Sequence, residues 1–212
     1  MEGLGVDFRR QAEQVRWLAQ TVAAKGWLPA TSGNLSVKVS DAPLRFAITR
    51  SGADKQRLAL EDVLLVGPDG GPVVGTPHRP SAETVVHVRL YQTRECGAIV
   101  HVHTMFNNLA SDVFFPQGYV ELADHELLKA LGHWEEGARI RVPIVENHHD
   151  LNDLAAAVAD MSQEGVPGVL VRNHGIYAWG EDADAALRHL EAFEFLFEYV
   201  LRRRVYGGGL QP

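Results

Sequence analysis

The sequence predicts an α/β fold: one three-layer domain with a largely antiparallel central sheet. Two observations predict it. Short β-branched runs alternate irregularly with amphipathic helical stretches along the chain, and no repeat, low-complexity block or linker interrupts them. At about 150 residues per domain, 212 residues fit one large domain spanning 1–212 better than two.

Each element has its own signal. Phe8, Ala12, Val15, Leu18, Ala19 and Val22 recur at three- and four-residue steps, predicting a helix from Asp7, as its cap, to Gly26. Leu35, Val37 and Val39, then Phe46 and Ile48, alternate with polar neighbours around Asp41-Ala42-Pro43, as a β-hairpin does. Val63–Val66 and Val73-Val74 flank Pro68-Asp69-Gly70-Gly71, a second strand-turn-strand signal. A helix over Ser81–Arg94 leads into the short strand AIVHVH, and a helix follows over Met105–Asp112. A short helix is expected over Asp124–Leu131, a strand near Arg139–Val145, and a helix from Leu151 to about Ser162, capped by Asp150 or Asn152. Val169–Arg172 and Ile176–Trp179 read as paired strands around Asn173-His174-Gly175. A long amphipathic helix from Asp182 to about Val205 comes last, with a loose tail from about residue 207.

Composition narrows the function. With 46% hydrophobic and 22% charged residues the chain is ordinary globular protein, not a disordered, collagenous or disulfide-scaffold one. A formal charge of −7 repels phosphate backbones and acidic lipid, so neither nucleic acid nor a membrane is an expected partner. No apolar run approaches the ~20 residues that span a bilayer, and MEGLGVDFRRQAEQ lacks the apolar centre of a signal peptide. A cytoplasmic protein is expected. The single cysteine, Cys96, fits a reducing compartment and reads as a small core residue.

His101 and His103 stand two apart in a strand, so both imidazoles project from one side within reach of one ion. A catalytic zinc takes about three protein ligands and keeps one position open. His174, in a tight turn before Gly175, is the best candidate for the third. The alternative is three separate hydrogen-bonded histidines. Of the other histidines, His78, His148 and His149 lie in loops that can touch substrate, His87, His133 and His189 read as surface or helix-packing residues, and His125 is ambiguous. Glu126 opens a short helix, either as an acid/base or as a favourable N-terminal charge. Thr31-Ser32-Gly33-Asn34, Thr49-Arg50-Ser51-Gly52 and Pro80-Ser81-Ala82-Glu83 carry the small hydroxyls and exposed amides that a phosphate needs outside a P-loop. Each alone is a turn or cap; together they make a phosphate pocket.

As a set, SGN, TRSG, HRPSAE, HVH and NHG, in that order over residues 32 to 175, resemble the class II aldolase/adducin family. ADHELLKAL, VPIVENHHDLNDLA and VLVRNHGIYAWGE look most like its dehydratases of a phosphorylated methylthio keto-sugar in methionine salvage. The resemblance implies an α/β/α fold, one Zn²⁺ per subunit held by His101, His103 and His174, and a homotetramer with active sites near subunit interfaces. Ser32, Gly33, Asn34, Ser51, Gly52 and Ser81 fall on the family's phosphate-binding positions. Glu126 matches the proposed acid/base of the dehydratase, and Glu83 the glutamate of the family's aldolases that acts as base or beside the metal. The eukaryotic-type dehydratase lacks a glutamate at the Glu83 position, which favours Glu126 for proton transfer and leaves Glu83 to the substrate or metal shell. An aldolase or 4-epimerase of the same family would use the same metal and phosphate residues. A non-catalytic adducin-like module would show broken metal ligands, and here all three are intact. Tyr177, Trp179, Phe193, Phe197 and Tyr199 either face a neighbouring subunit or fill the core.

Overall fold

A computed structural model describes residues 2–207. Eight strands form one sheet: β1 (Asn34–Asp41), β2 (Leu44–Thr49), β3 (Val63–Val66), β4 (Ala98–Val102), β5 (Tyr119–Ala123), β6 (Arg139–Val145), β7 (Gly168–Val171) and β8 (Gly175–Gly180). Their order is β3-β2-β1-β4-β8-β7-β6-β5. Every pairing is antiparallel except β6 with β7, which bears out the largely antiparallel sheet.

Strand alternation sends side chains to two cores. On one face Leu35, Val37, Ala98, Val100, Val102, Ile176 and Ala178 pack with α1 (Glu2–Ala24), α3 (Met105–Val113) and α5 (Ala183–Gly207). On the other, Phe46, Ile48, Ile99, Val169, Tyr177 and Trp179 pack with α2 (Thr84–Thr93) and α4 (Leu151–Met161). This is the expected α/β/α layering. Tyr177, Trp179, Phe193 and Phe197 are core residues, while Tyr199 is 40% exposed.

The structure corrects several expectations. The first helix already runs at Glu2, so Asp7 is an interior residue rather than its cap. Val73-Val74 is not a strand: one bridge, Val66 to Pro72, and one bond from Val73 N to Leu65 O are all that pair it with β3. Pro72 has no N–H to extend a ladder, and both valines are exposed, so no buried face holds a register. The helix expected from Ser81 starts at Thr84, and Asp124–Leu131 is a 3-10 helix over Glu126–Leu131. The edge strand β5 has no counterpart in the sequence reading, although Val120 and Leu122 alternate inward. Asp150 caps α4 as expected, accepting from Asn152 N and Asp153 N. Gly207 ends α5, and the rest of the expected tail lies outside the described residues.

Candidate metal centre and active site

β4 delivers His101 to the α2 side of the sheet, and His103, one residue past the strand end, follows on the same side. β8 lies beside β4, so the turn that opens it sets His174 against both rings. Asn173 makes that turn with a positive φ of 50°, a conformation asparagine tolerates. Gly175 is required by close approach: a Cβ there would overlap Val102 O and stand 2.9 Å from His103 Cδ2 and 3.1 Å from His101 Cε1.

One nitrogen from each of the three histidines lies within 4.8 Å of the other two. His101 Nδ1 donates to Ile176 O at 3.0 Å, which turns the Nε2 lone pair toward the centre. That Nε2 is 2.9 Å from His103 Nε2. Burial holds both rings neutral, with pKa values lowered to about 4 for His101 and about 3 for His103. His174 Nδ1 is buried without a partner among the described residues. Three converging imidazoles, two held neutral by burial and one of those oriented by a carbonyl, fit a borderline divalent metal such as zinc.

Glu83, immediately before α2, completes the cluster. Its Oε2 is 3.2 Å from His101 Nε2 and its Oε1 3.1 Å from His174 Nε2. The carboxylate accepts from Asn34 Nδ2 at 2.7 Å and from the Tyr177 hydroxyl at 2.9 Å, and the Tyr177 ring stacks on His101 with centroids 4.0 Å apart. Burial opposes its charge, but His101, His174 and the Asn34 amide outweigh it and hold the carboxyl well below the usual range.

The three serine-bearing segments converge at the same end of the sheet. Arg50 bridges Pro80, Ser51 N donates to Arg79 O, and Ser81 N donates to Thr49 O, so TRSG and HRPS run side by side. Asn34 opposes His101 in the β1–β4 ladder, and Gly33, with φ +71°, would drive a Cβ into His101 O. Ser32 Oγ is buried and unpartnered among the described residues, while Asn34 is buried and commits its amide to Glu83 and His87. Ser51 and Gly52 are exposed. Lys55 escaped the sequence reading because nothing marks a lysine in a polar loop. It is buried, its ammonium donates to Thr31 O, and burial, then Arg50, lowers its pKa while Glu83 opposes the shift. A cleft of about 450 Å³ opens beside His103 and His174, walled by Pro29, Met105, Asn108 and Asn147. Glu194 of α5, also unmarked in the sequence, holds the start of α3 by accepting from Thr104 Oγ1 and Asn107 Nδ2. Burial pushes its carboxyl up to about 7.

Glu126 is not brought to this cluster within one chain. β5 lies four positions from β4, roughly 19 Å across the sheet, and runs opposite to it. The chain leaves β5 toward Glu126 at the end away from the histidines. There Glu126 is 80% exposed and pairs with Lys129 Nζ at 2.8 Å. His125 beside it caps Leu127 N and packs on Phe195 and Tyr199. His133 and His189 bond Gly165 O and Trp179 O, His78, His148 and His149 are exposed, and His87 is fully buried rather than superficial.

The model of the "Class II Aldolase and Adducin N-terminal domain" family matches residues 13–201. The chain belongs to this family. It is 50% identical over 184 residues to a protein of Persephonella marina named methylthioribulose-1-phosphate dehydratase, covering 87% of this chain and 86% of that one. A protein of the same name from Bacillus subtilis is 46% identical over 197 residues, 90% of this chain and 94% of that one. Among solved structures, the L-fuculose-1-phosphate aldolase of Thermus thermophilus superposes with a TM-score of 0.74 at 27% identity, over 94% of this chain and 98% of that one. That aldolase shares the fold laid out above, and no helix among the described residues is long and apolar enough to cross a membrane.

Proposed function

We propose that this family member is a zinc-dependent methylthioribulose-1-phosphate dehydratase, forming a 2,3-diketo-5-methylthiopentyl 1-phosphate in a cytoplasmic methionine-salvage route. The observation that carries the reading is the set of three converging imidazoles and a pinned carboxylate, at the sheet end where the serine loops meet, in a chain half identical to proteins of that name.

His101, His103 and His174 would hold the metal, whose Lewis acidity makes the proton on C3 of the substrate, beside the C2 ketone, easier to remove. Ser32, Ser51 and Ser81, with Gly33 and Gly52 around them, bind the phosphate, and the Lys55 ammonium balances its charge, while the Asn34 side chain, expected to join them, is instead spent on Glu83 and His87. Glu83 is preorganised as an acceptor and orients the substrate's hydroxyls or the metal shell. A carboxylate takes the C3 proton, and the same group, now an acid, protonates the C4 hydroxyl as it leaves as water. The resulting enol tautomerises to the diketone. We assign this proton transfer to Glu126. With Glu126 at the far end of the sheet, this reading has it act from a neighbouring chain and so requires an oligomer, which we take to be a homotetramer. Phe195 and Tyr199, exposed beside His125, supply apolar surface for that contact.

The test combines turnover of methylthioribulose 1-phosphate by metal-quantified protein with subunit mixing. Glu83→Gln and Glu126→Gln proteins, each inactive alone, should regain part of the activity when dissociated and reassembled together. Failure to regain any would remove Glu126 from the site. A second reading, a sugar-phosphate aldolase, is favoured by the position of Glu83 itself against the histidines. Cleavage of fuculose 1-phosphate, with no diketone from the methylthio sugar, would select it.

A further inference from the structure

We propose that Tyr91, Ser36 and His87 are positioning residues that act through Asn34: a one-directional hydrogen-bond relay that locks the Glu83 carboxylate toward the histidine cluster. This rests on the reading above only in taking Glu83 to belong to the active site.

The relay follows from two periodicities that match. Glu83, His87 and Tyr91 recur every four residues along one stripe of α2 and the turn before it, a spacing of about 6 Å per step. Asn34 and Ser36 recur every two residues on the face of β1 beneath it, about 6.6 Å per step. The two rows interleave. Glu83 meets Asn34, Asn34 meets His87, His87 meets Ser36, and Ser36 meets Tyr91. Lys38, the next residue of the β1 row, sets its ammonium 5.6 Å from the centre of the Tyr91 ring. All of this lies in a face otherwise filled by Phe46, Ile48, Ile99 and Val86.

Chemistry leaves one direction for the protons. An ionised carboxylate only accepts, so the Asn34 amide nitrogen faces Glu83 and its Oδ1 faces His87. His87 Nε2 must then carry the proton, so Nδ1 accepts from the Ser36 hydroxyl at 2.7 Å. With its one proton spent, Ser36 accepts from the Tyr91 hydroxyl at 2.8 Å. Every dipole points its positive end toward Glu83. Asn34, Ser36 and His87 are buried, so solvent does not compete for these bonds. Removing a distal hydroxyl takes the donor from His87 Nδ1, loosens the ring that pins Asn34 Oδ1, and so loosens the amide that holds the carboxylate.

Two measurements on the metal-loaded protein test this. Side-chain ¹⁵N spectra of the histidines should show His87 neutral with its proton on Nε2, and Ser36→Ala should shift the Nδ1 resonance toward that of an imidazole nitrogen that accepts no hydrogen bond. A proton on Nδ1, or a doubly protonated ring, in the wild type overturns the relay. In turnover, Ser36→Ala should lower kcat about five- to tenfold with KM and metal content near wild type, and Tyr91→Phe about two- to threefold. Unchanged kcat in Tyr91→Phe, whose ring still fills its place, with only a lowered Tm, would reduce the chain to a structural one and overturn the proposal. A wild type inert toward methylthioribulose 1-phosphate would sink the substrate reading, while the spectra still decide the relay.

Discussion

Two carboxylates bracket this molecule, and their surroundings differ in almost every respect. Glu83 is 17% exposed, receives two hydrogen bonds and faces two imidazoles. Glu126, at the far edge and opposite end of the same sheet, is 80% exposed and touches one lysine. The difference teaches that one chain preorganises a carboxylate at the histidine cluster and leaves Glu126 in solvent, so the proposed acid/base role of Glu126 requires a neighbouring chain to cover it.

The comparison can be broken at several points. The largest effect belongs to the histidines: His101→Ala or His103→Ala should abolish turnover and bring the metal content of purified protein from about one per chain to near zero, read by elemental analysis. Metal retained at full stoichiometry would refute the ligand set. Next, Glu83→Gln and Glu126→Gln should each lower kcat roughly 10²–10⁴-fold. For Glu126→Gln the metal content should stay at wild-type level, whereas any loss of metal should be confined to Glu83→Gln, since only Glu83 faces the ligands.

A backbone prediction comes third. Gly175→Ala should destabilise the protein by about 1–3 kcal/mol in denaturant titration and weaken metal binding, because its Cβ has no room beside Val102 O. Fourth is pH. Burial lowers the His87 pKa from 6.5 to about 3, so below pH 6.5 the unfolded chain binds a proton that the folded one refuses. The stability of chelator-treated protein should therefore fall as pH drops from about 6.5 toward 3, and the slope should be shallower in His87→Gln. A wild-type slope in that variant would mean that His87 is not buried neutral. The smallest effect is at the other carboxylate: Lys129→Ala removes an exposed ion pair and should change stability by less than about 1 kcal/mol.

Much of this was legible in the chain itself. The period of two that marks His-Val-His as a strand also places His101 and His103 on one side, and Asn-His-Gly marks a turn that makes His174 a candidate third partner, whose meeting with them the residues alone left open. The serine loops were legible as turns, and the β1–β2 hairpin, the helices and the Asp150 cap followed local rules, while the Asp7 cap did not. Lys55 and Glu194 carried no signal, because a buried charge is recognised by its partners and those come from distant segments. His87 read as a packing residue because its stripe with Glu83 and Tyr91 has meaning only once β1 lies beneath it.

By itself, then, the sequence determined what depends on near neighbours: most element types, the two faces of the strands, the pairing of His101 with His103 on one face and the family motifs. Tertiary structure alone decided what depends on strand order and on helix seating. It put β8 beside β4, joining His174 to His101, and β5 at the far edge, parting Glu126 from both. The physical reason is that local periodicity sets which way a side chain points along its own strand or helix, whereas which elements become neighbours is settled by burying all their apolar faces at once.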